Sequence, residues 1–202
     1  MADNGGMDAD KRLVDAIRAK DARRVRAAIA AGAGAAGADG QKSPLHLAAE
    51  VGDLEVLQSL PRASVKKLIN QLDPADRTPL MCAAQKGNIE AAAALIEMGA
   101  EVNARNSTGD TALRVAASDG TPEMARLLLE AGGDPLIPGR LLLTPLDRAR
   151  ERHTPEGRMI AAIILRAQEA ARIEKKAQKS PQKAAGGRKS KQTRRAGRRG
   201  VK

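Results

Sequence analysis

A hydroxyl residue, a small residue and a leucine return together at a fixed interval, and nothing else in this chain constrains its fold so tightly. Thr78-Pro79-Leu80, Thr111-Ala112-Leu113 and Thr144-Pro145-Leu146 stand 33 and 33 apart, and Ser43-Pro44-Leu45 lies 35 before Thr78. A period of this size signals one supersecondary unit copied along the chain, each copy covering its apolar face only with its neighbours. Between Met98 and Asp134 the unit reads as two short apolar helices, with a Gly-containing turn before them and Gly132-Gly133 as a stop after them. The hydroxyl suits a helix N-cap, and Pro suits the first helical position, where its missing N–H costs nothing.

The copy at Ser43-Pro44-Leu45-His46-Leu47-Ala48-Ala49 adds a histidine and an alanine pair to the motif. Motif and period together resemble the ankyrin repeat over roughly residues 10–157. The resemblance implies an all-α solenoid of about five helix-turn-helix units with caps, followed by a C-terminal helix and a basic tail. The expected divisions are a disordered 1–9, repeats over 10–157, a helix over 158–178 and a disordered Lys/Arg-rich 179–202. The first unit, beginning near Asp10, keeps helical spacing at Leu13, Ala16, Ile17, Val25 and Ile29 without the motif letters, which fits an N-terminal cap. Pro61 and two extra residues in the second unit predict a kink or insertion in its outer helix. The fifth unit departs from the family. Its turn, Gly139-Arg140-Leu141-Leu142-Leu143, lacks the usual D-x-x-G form, and Arg150 and His153 replace an expected Ala and Gly.

The chain has 202 residues and no Phe, Tyr or Trp. Its core must therefore be built from Ala, Leu, Val, Ile and Met. The same absence removes stacking platforms for single-stranded nucleic acid and aromatic cages for methylated lysine. One cysteine, Cys82, allows no intrachain disulfide and suits a reducing compartment. Residues 1–10 do not read as a secretory signal, and no apolar run reaches membrane-spanning length. The net charge of +11 is concentrated at the end. Residues 175–202 hold twelve Lys or Arg and no Asp or Glu, which leaves 23 basic against 24 acidic residues before them.

No constellation for catalysis, cofactor or metal can be assembled. Gly32-x-Gly34-x-x-Gly37 matches a dinucleotide fingerprint in letters only, since a helix rather than a strand precedes it. The two histidines, His46 and His153, have no partner at ligand spacing. Cys82 falls on an apolar helix position and reads as a buried thiol. Asn106-Ser107-Thr108 is a literal glycosylation sequon placed where a turn residue bonds its own backbone.

The resemblance implies a non-enzymatic, monomeric protein–protein interaction module whose partner lies along turn tips and inner helices. Carried over position by position, the tips are Lys42, Arg77, Arg105, Asp110 and Arg140. The inner-helix positions are Glu50, Val51, Gln85, Lys86, Ser118 and Asp119. Four basic tips favour an acidic or helical segment of a partner protein. In the tail, Lys175-Lys176, eleven residues, then Arg188-Lys189-Ser190-Lys191 resembles a bipartite nuclear import signal. Arg194, Arg195, Arg198 and Arg199 add charge that holds phosphates without reading sequence. The alternative function is therefore a nucleic-acid-associated protein whose tail makes the main contact. Both uses place the chain in the nucleus or the cytoplasm.

Overall fold

The computed structural model describes residues 4–34 and 42–179, and among these residues all regular structure is helical. The helices are α1 (Asn4–Arg18), α2 (Ala22–Ala30), α3 (Pro44–Val51), α4 (Leu54–Ser59), α5 (Arg62–Leu68), α6 (Pro79–Lys86), α7 (Ile89–Glu97), α8 (Ala112–Asp119), α9 (Pro122–Glu130), α10 (Pro145–Glu151) and α11 (Pro155–Lys179). A single 3-10 turn, Arg140–Leu142, precedes α10. The chain divides at Ala167 and Gln168 into two compact units. The repeats lie wholly in the first. In the second, the described residues are the later turns of α11. No helix among the described residues is long and apolar enough to cross a membrane.

The repeated motif acts locally before it acts globally. Ser43, Thr78, Thr111 and Thr144 are extended N-caps whose hydroxyls accept the amides of His46, Met81, Arg114 and Asp147. Thr144 closes a full capping box, because its own amide donates to the Asp147 carboxylate at 2.8 Å. Helices of eight residues are marginal alone, so packing must hold them. Helices α1, α3, α6, α8 and α10 follow one another in an inner row, and α2, α4, α7 and α9 in an outer one. The three central inner helices, α3, α6 and α8, each carry an alanine pair with no exposure, at Ala48-Ala49, Ala83-Ala84 and Ala116-Ala117. These small faces let backbones approach closely, while Leu45, Leu80, Leu113, Leu95 and Leu128 fill the space between layers.

Two expectations differ in detail from the structure, and a third is met. Residues 4–9 are helical rather than disordered, because α1 starts at Asn4 and buries Ala9 in the core of the cap. The outer helix of the second unit breaks at Pro61, where a kink or insertion is expected, into α4 and α5. Pro61 supplies no amide, and Leu60 and Pro61 are both extended. The expected start of the last helix, at residue 158, falls inside α11. Its first half belongs to the repeat unit because Ile160 and Ile164 are fully buried in the common core.

Candidate partner surface along the turns

The turns between units 33 residues apart share a plan. Asp73 Oδ1 accepts the amides of Ala75 at 2.9 Å and Arg77 at 3.0 Å, and Asp73 N–H donates to Arg77 O. One unit later, Asn106 Oδ1 accepts the amides of Thr108 at 3.1 Å and Asp110 at 2.7 Å, and Asn106 N–H donates to Asp110 O. A side-chain oxygen thus holds each tight loop from within. The left-handed position is Asp76 in the first turn and Gly109 in the second. Turns are tied to each other as well. Asn106 Nδ2 donates to Asp76 O, and Ser107 N–H and Oγ–H reach the Asp76 carboxylate.

His46 performs the corresponding tie between the second and third units. Its Nε2 lies 3.0 Å from both Gln71 O and Arg77 O, and two carbonyls can only accept, so Nε2 carries the proton. The Ser43 hydroxyl donates to Nδ1 at 2.6 Å. Burial lowers the ring's pKa, and the Gln71 carbonyl and Asp73 charge do not fully restore it. The folded protein therefore binds fewer protons here than the unfolded chain. The contribution is complete above the unfolded pKa of roughly 6.5 and is lost as pH falls from there through the folded value. Melting temperature should decline on acidification below pH ~6.5, where histidine begins to charge. A His46→Gln variant, less stable at neutral pH, should lose that slope; an identical slope in the variant would assign it elsewhere.

Beside His46 lies a buried ion network. The Asp73 carboxylate has no exposure and receives Arg77 Nη2 at 2.7 Å. The same Nη2 reaches Glu50 of the preceding unit at 3.1 Å, and Arg77 Nη1 donates to Gln85 at 2.5 Å. Lys42 Nζ completes the set, 2.6 Å from Glu50 and 3.8 Å from Asp73. Burial alone raises the Asp73 carboxyl, but the hydrogen bonds and charge of Arg77 outweigh it and leave its pKa lowered. Glu50, Asp73 and Cys82 bring ligand-type atoms within 4.8 Å of one another. Two cations already neutralise those carboxylates, and burial pushes the Cys82 thiol up to about 12. The arrangement is a structural lock and a poor metal site.

Of the surface positions expected from sequence, the structure joins Lys42, Glu50, Arg77 and Gln85 in this network. Arg77 spans two repeats, and its basic charge is engaged internally. Val51 is half-buried against the core beside Glu50. Those two residues and Lys42 line a half-open cleft of about 420 Å3 with Val14 and Arg18 of α1 and Leu47 of α3. Val14 and Arg18 are not among the expected contacts, because the cap lacks the motif that would have aligned them; Leu47 lies within the motif but is not among the expected contact positions. Lys86 and Asp119 are exposed at the ends of α6 and α8, and Ser118 is half-buried. Asp110 is tied to buried Arg114. Arg105 is exposed and donates to Gly109 O at 3.2 Å and Pro138 O at 3.0 Å. Arg140 is exposed on the last turn. Lys175 and Lys176 lie on the last turns of α11, whereas Arg188, Lys189, Lys191, Arg194, Arg195, Arg198 and Arg199 lie outside the described residues.

A family model described as ankyrin repeats, in three copies, matches residues 45–138. Protein phosphatase 1 regulatory subunit 27 of Mus musculus is 37% identical over 83 residues, covering 41% of this chain and 53% of that protein. Transient receptor potential cation channel subfamily A member 1 of Homo sapiens is 34% identical over 86 residues, 43% of this chain and 8% of the channel protein. E3 ubiquitin-protein ligase Ufd4 of Drosophila melanogaster is 30% identical over 154 residues, 76% of this chain and 4% of the ligase. The chain thus spans about half the length of the phosphatase subunit and less than a tenth of the other two.

Proposed function

The chain belongs to the ankyrin repeat family, a protein–protein interaction architecture, and from that premise we propose that its turns and inner helices hold an acidic segment of a partner protein. The observation that carries this reading is the sorting of charge. Cations inside the stack are matched: Arg77 and Lys42 by Asp73 and Glu50, Arg114 by Asp110. Arg18, Lys86, Arg105 and Arg140 are exposed and form no ion pair among the described residues. Internal pairing makes the platform rigid, and rigidity lowers the ordering cost of binding. The outward cations set sign and attraction more than raw affinity. The proposed role is non-catalytic, and its support is that His46 uses both ring nitrogens structurally while burial keeps Cys82 a neutral thiol.

The tail contributes a second, electrostatic attachment, to an import carrier or to nucleic-acid phosphates, which places the protein in the nucleus or cytoplasm. Its support is the run of twelve basic residues without an acid. Affinity capture with full-length chain, chain ending at 174, and an Arg18→Glu/Lys86→Glu variant separates the two, each with and without nuclease. Groove partners should survive tail removal and nuclease but be depleted about tenfold by the double charge reversal. Partners that vanish with the tail alone, and ignore the reversal, would assign the binding to nucleic acid or a carrier.

A further inference from the structure

The last turn breaks the plan of the two before it, and in breaking it presents two leucines to water. Shifted by 33, the positions of Asp73 and Asn106 fall on Gly139, and those of Asp76 and Gly109 fall on Leu142. Gly139 N–H still donates to Leu143 O at 3.0 Å, and Leu142 N–H to Gly139 O at 3.2 Å. No side-chain oxygen at 139 gathers the loop amides. Leu141 and Leu142 both adopt left-handed backbone, each with φ 59°. They are 79% and 81% exposed, the two most exposed large apolar side chains among the described residues. A side chain beyond glycine is unfavourable in that region, and such strain persists where function retains it.

The cause lies one layer down. Arg114 stands where the second unit has His46, and it is buried. It pairs with Asp110, while its Nε and Nη2 have no hydrogen-bond partner among the described residues. A Cβ at position 139 would collide with the Asp110 carboxylate and lie 2.8 Å from Arg114 Nε. The Asp110–Arg114 pair therefore crowds any side chain at this position. Glycine removes the internal cap, and the loop turns its leucines outward. Around them the charge is one-sided. Arg140 is exposed without an ion partner, and Arg105 donates only to carbonyls. The acid lying against Gly139, Asp110, is paired with Arg114, and the Asp147 carboxylate accepts from Thr144.

We infer that the 139–143 turn is the specificity contact of the partner surface, taking a segment in which an apolar side chain stands next to a carboxylate. The apolar group covers Leu141 and Leu142, and the carboxylate meets Arg140. The inference rests on the turn row being the partner surface. The occupant's chemistry comes from charge complementarity at Arg140 and from the exposure of both leucines beside it.

The test uses full-length chain and short synthetic peptides carrying Glu-Leu or Asp-Ile pairs, Glu-Ser pairs, or Lys-Leu pairs. Wild type should prefer the acid–apolar set. Leu141→Asn with Leu142→Gly should weaken that set about tenfold or more and leave Glu-Ser peptides, attracted by the basic tail, unchanged. Its melting temperature should equal or exceed wild type, because Asn and Gly accept left-handed backbone. Arg140→Glu should weaken the same set. Undiminished acid–apolar binding by the leucine variant would overturn the inference. If Arg18→Glu/Lys86→Glu then loses binding, the groove reading stands without it. If neither variant loses binding, both readings fall.

Discussion

Arg77→Met should destabilise the folded protein by about 3–5 kcal/mol at neutral pH, the usual cost of stranding a buried charge. The residue left behind is Asp73, whose side chain has no exposure. Lys42 at 3.8 Å is too distant to replace a guanidinium at 2.7 Å. The loss reaches further than one pair, because Arg77 also joins Glu50 of one unit to Gln85 of the next. Two accompanying results identify the mechanism. In wild type the Asp73 pKa is lowered, so its contribution is present above the unfolded value near 3.9 and is lost as pH falls through the folded one. Without Arg77, burial dominates and raises that pKa, so protonation relieves the variant. The gap between the two proteins should narrow on acidification. Adding Asp73→Asn should also recover much of the loss, since an amide oxygen still accepts the Ala75 and Arg77 amides while the stranded charge disappears. Chemical denaturation across pH measures both. A gap that stays constant with pH, with no recovery in the double variant, would show that packing rather than charge carried the effect.

Leu113→Ala is expected to cost about 3–4 kcal/mol, the transfer energy of a buried isobutyl group plus the cavity it leaves. Leu113 is 1% exposed on α8, the inner helix lying between α6 and α10. With no aromatic residue in the chain, no large neighbour can swing into the space. In a stack, stability is approximately the sum of unit and neighbour terms. A weakened middle unit should therefore part the array into segments that unfold at different denaturant concentrations. The control is Leu142→Ala, at an 81% exposed position, which should change stability by less than about 0.5 kcal/mol. A single, steep transition with equal effects at both positions would mean that the helices are not layered as described.

The two leucines show how far composition and spacing carry. Leu113 and Leu142 are the same residue type, and only the motif around Leu113 marks it as core in the sequence. Leu142 sits in a hydrophobic run, Leu141-Leu142-Leu143, within a turn that departs from the usual form. Its exposure follows from Arg114 and Gly139 meeting in space, and no local pattern contains that meeting. Arg77 errs in the opposite direction. As a charged residue at a turn tip it reads as an outward contact, yet its guanidinium turns inward because Asp73, four residues back, is buried.

What the sequence determined alone was everything with a short range or a period. The hydroxyl caps, the helix lengths, the left-handed turn at Gly109, the alanine faces and the break at Pro61 each depend on residues within one unit. The 33-residue repeat then dictates that units stack. What only the tertiary structure decided was which polar groups pair across units and which are left for a partner. Lys42 and Glu50 belong to one repeat and Arg77 and Gln85 to the next, just as Asp110 and Arg114 belong to one and Gly139 to the next. Their chemistry is set by through-space distances of a few ångströms, and a one-dimensional pattern does not specify such distances.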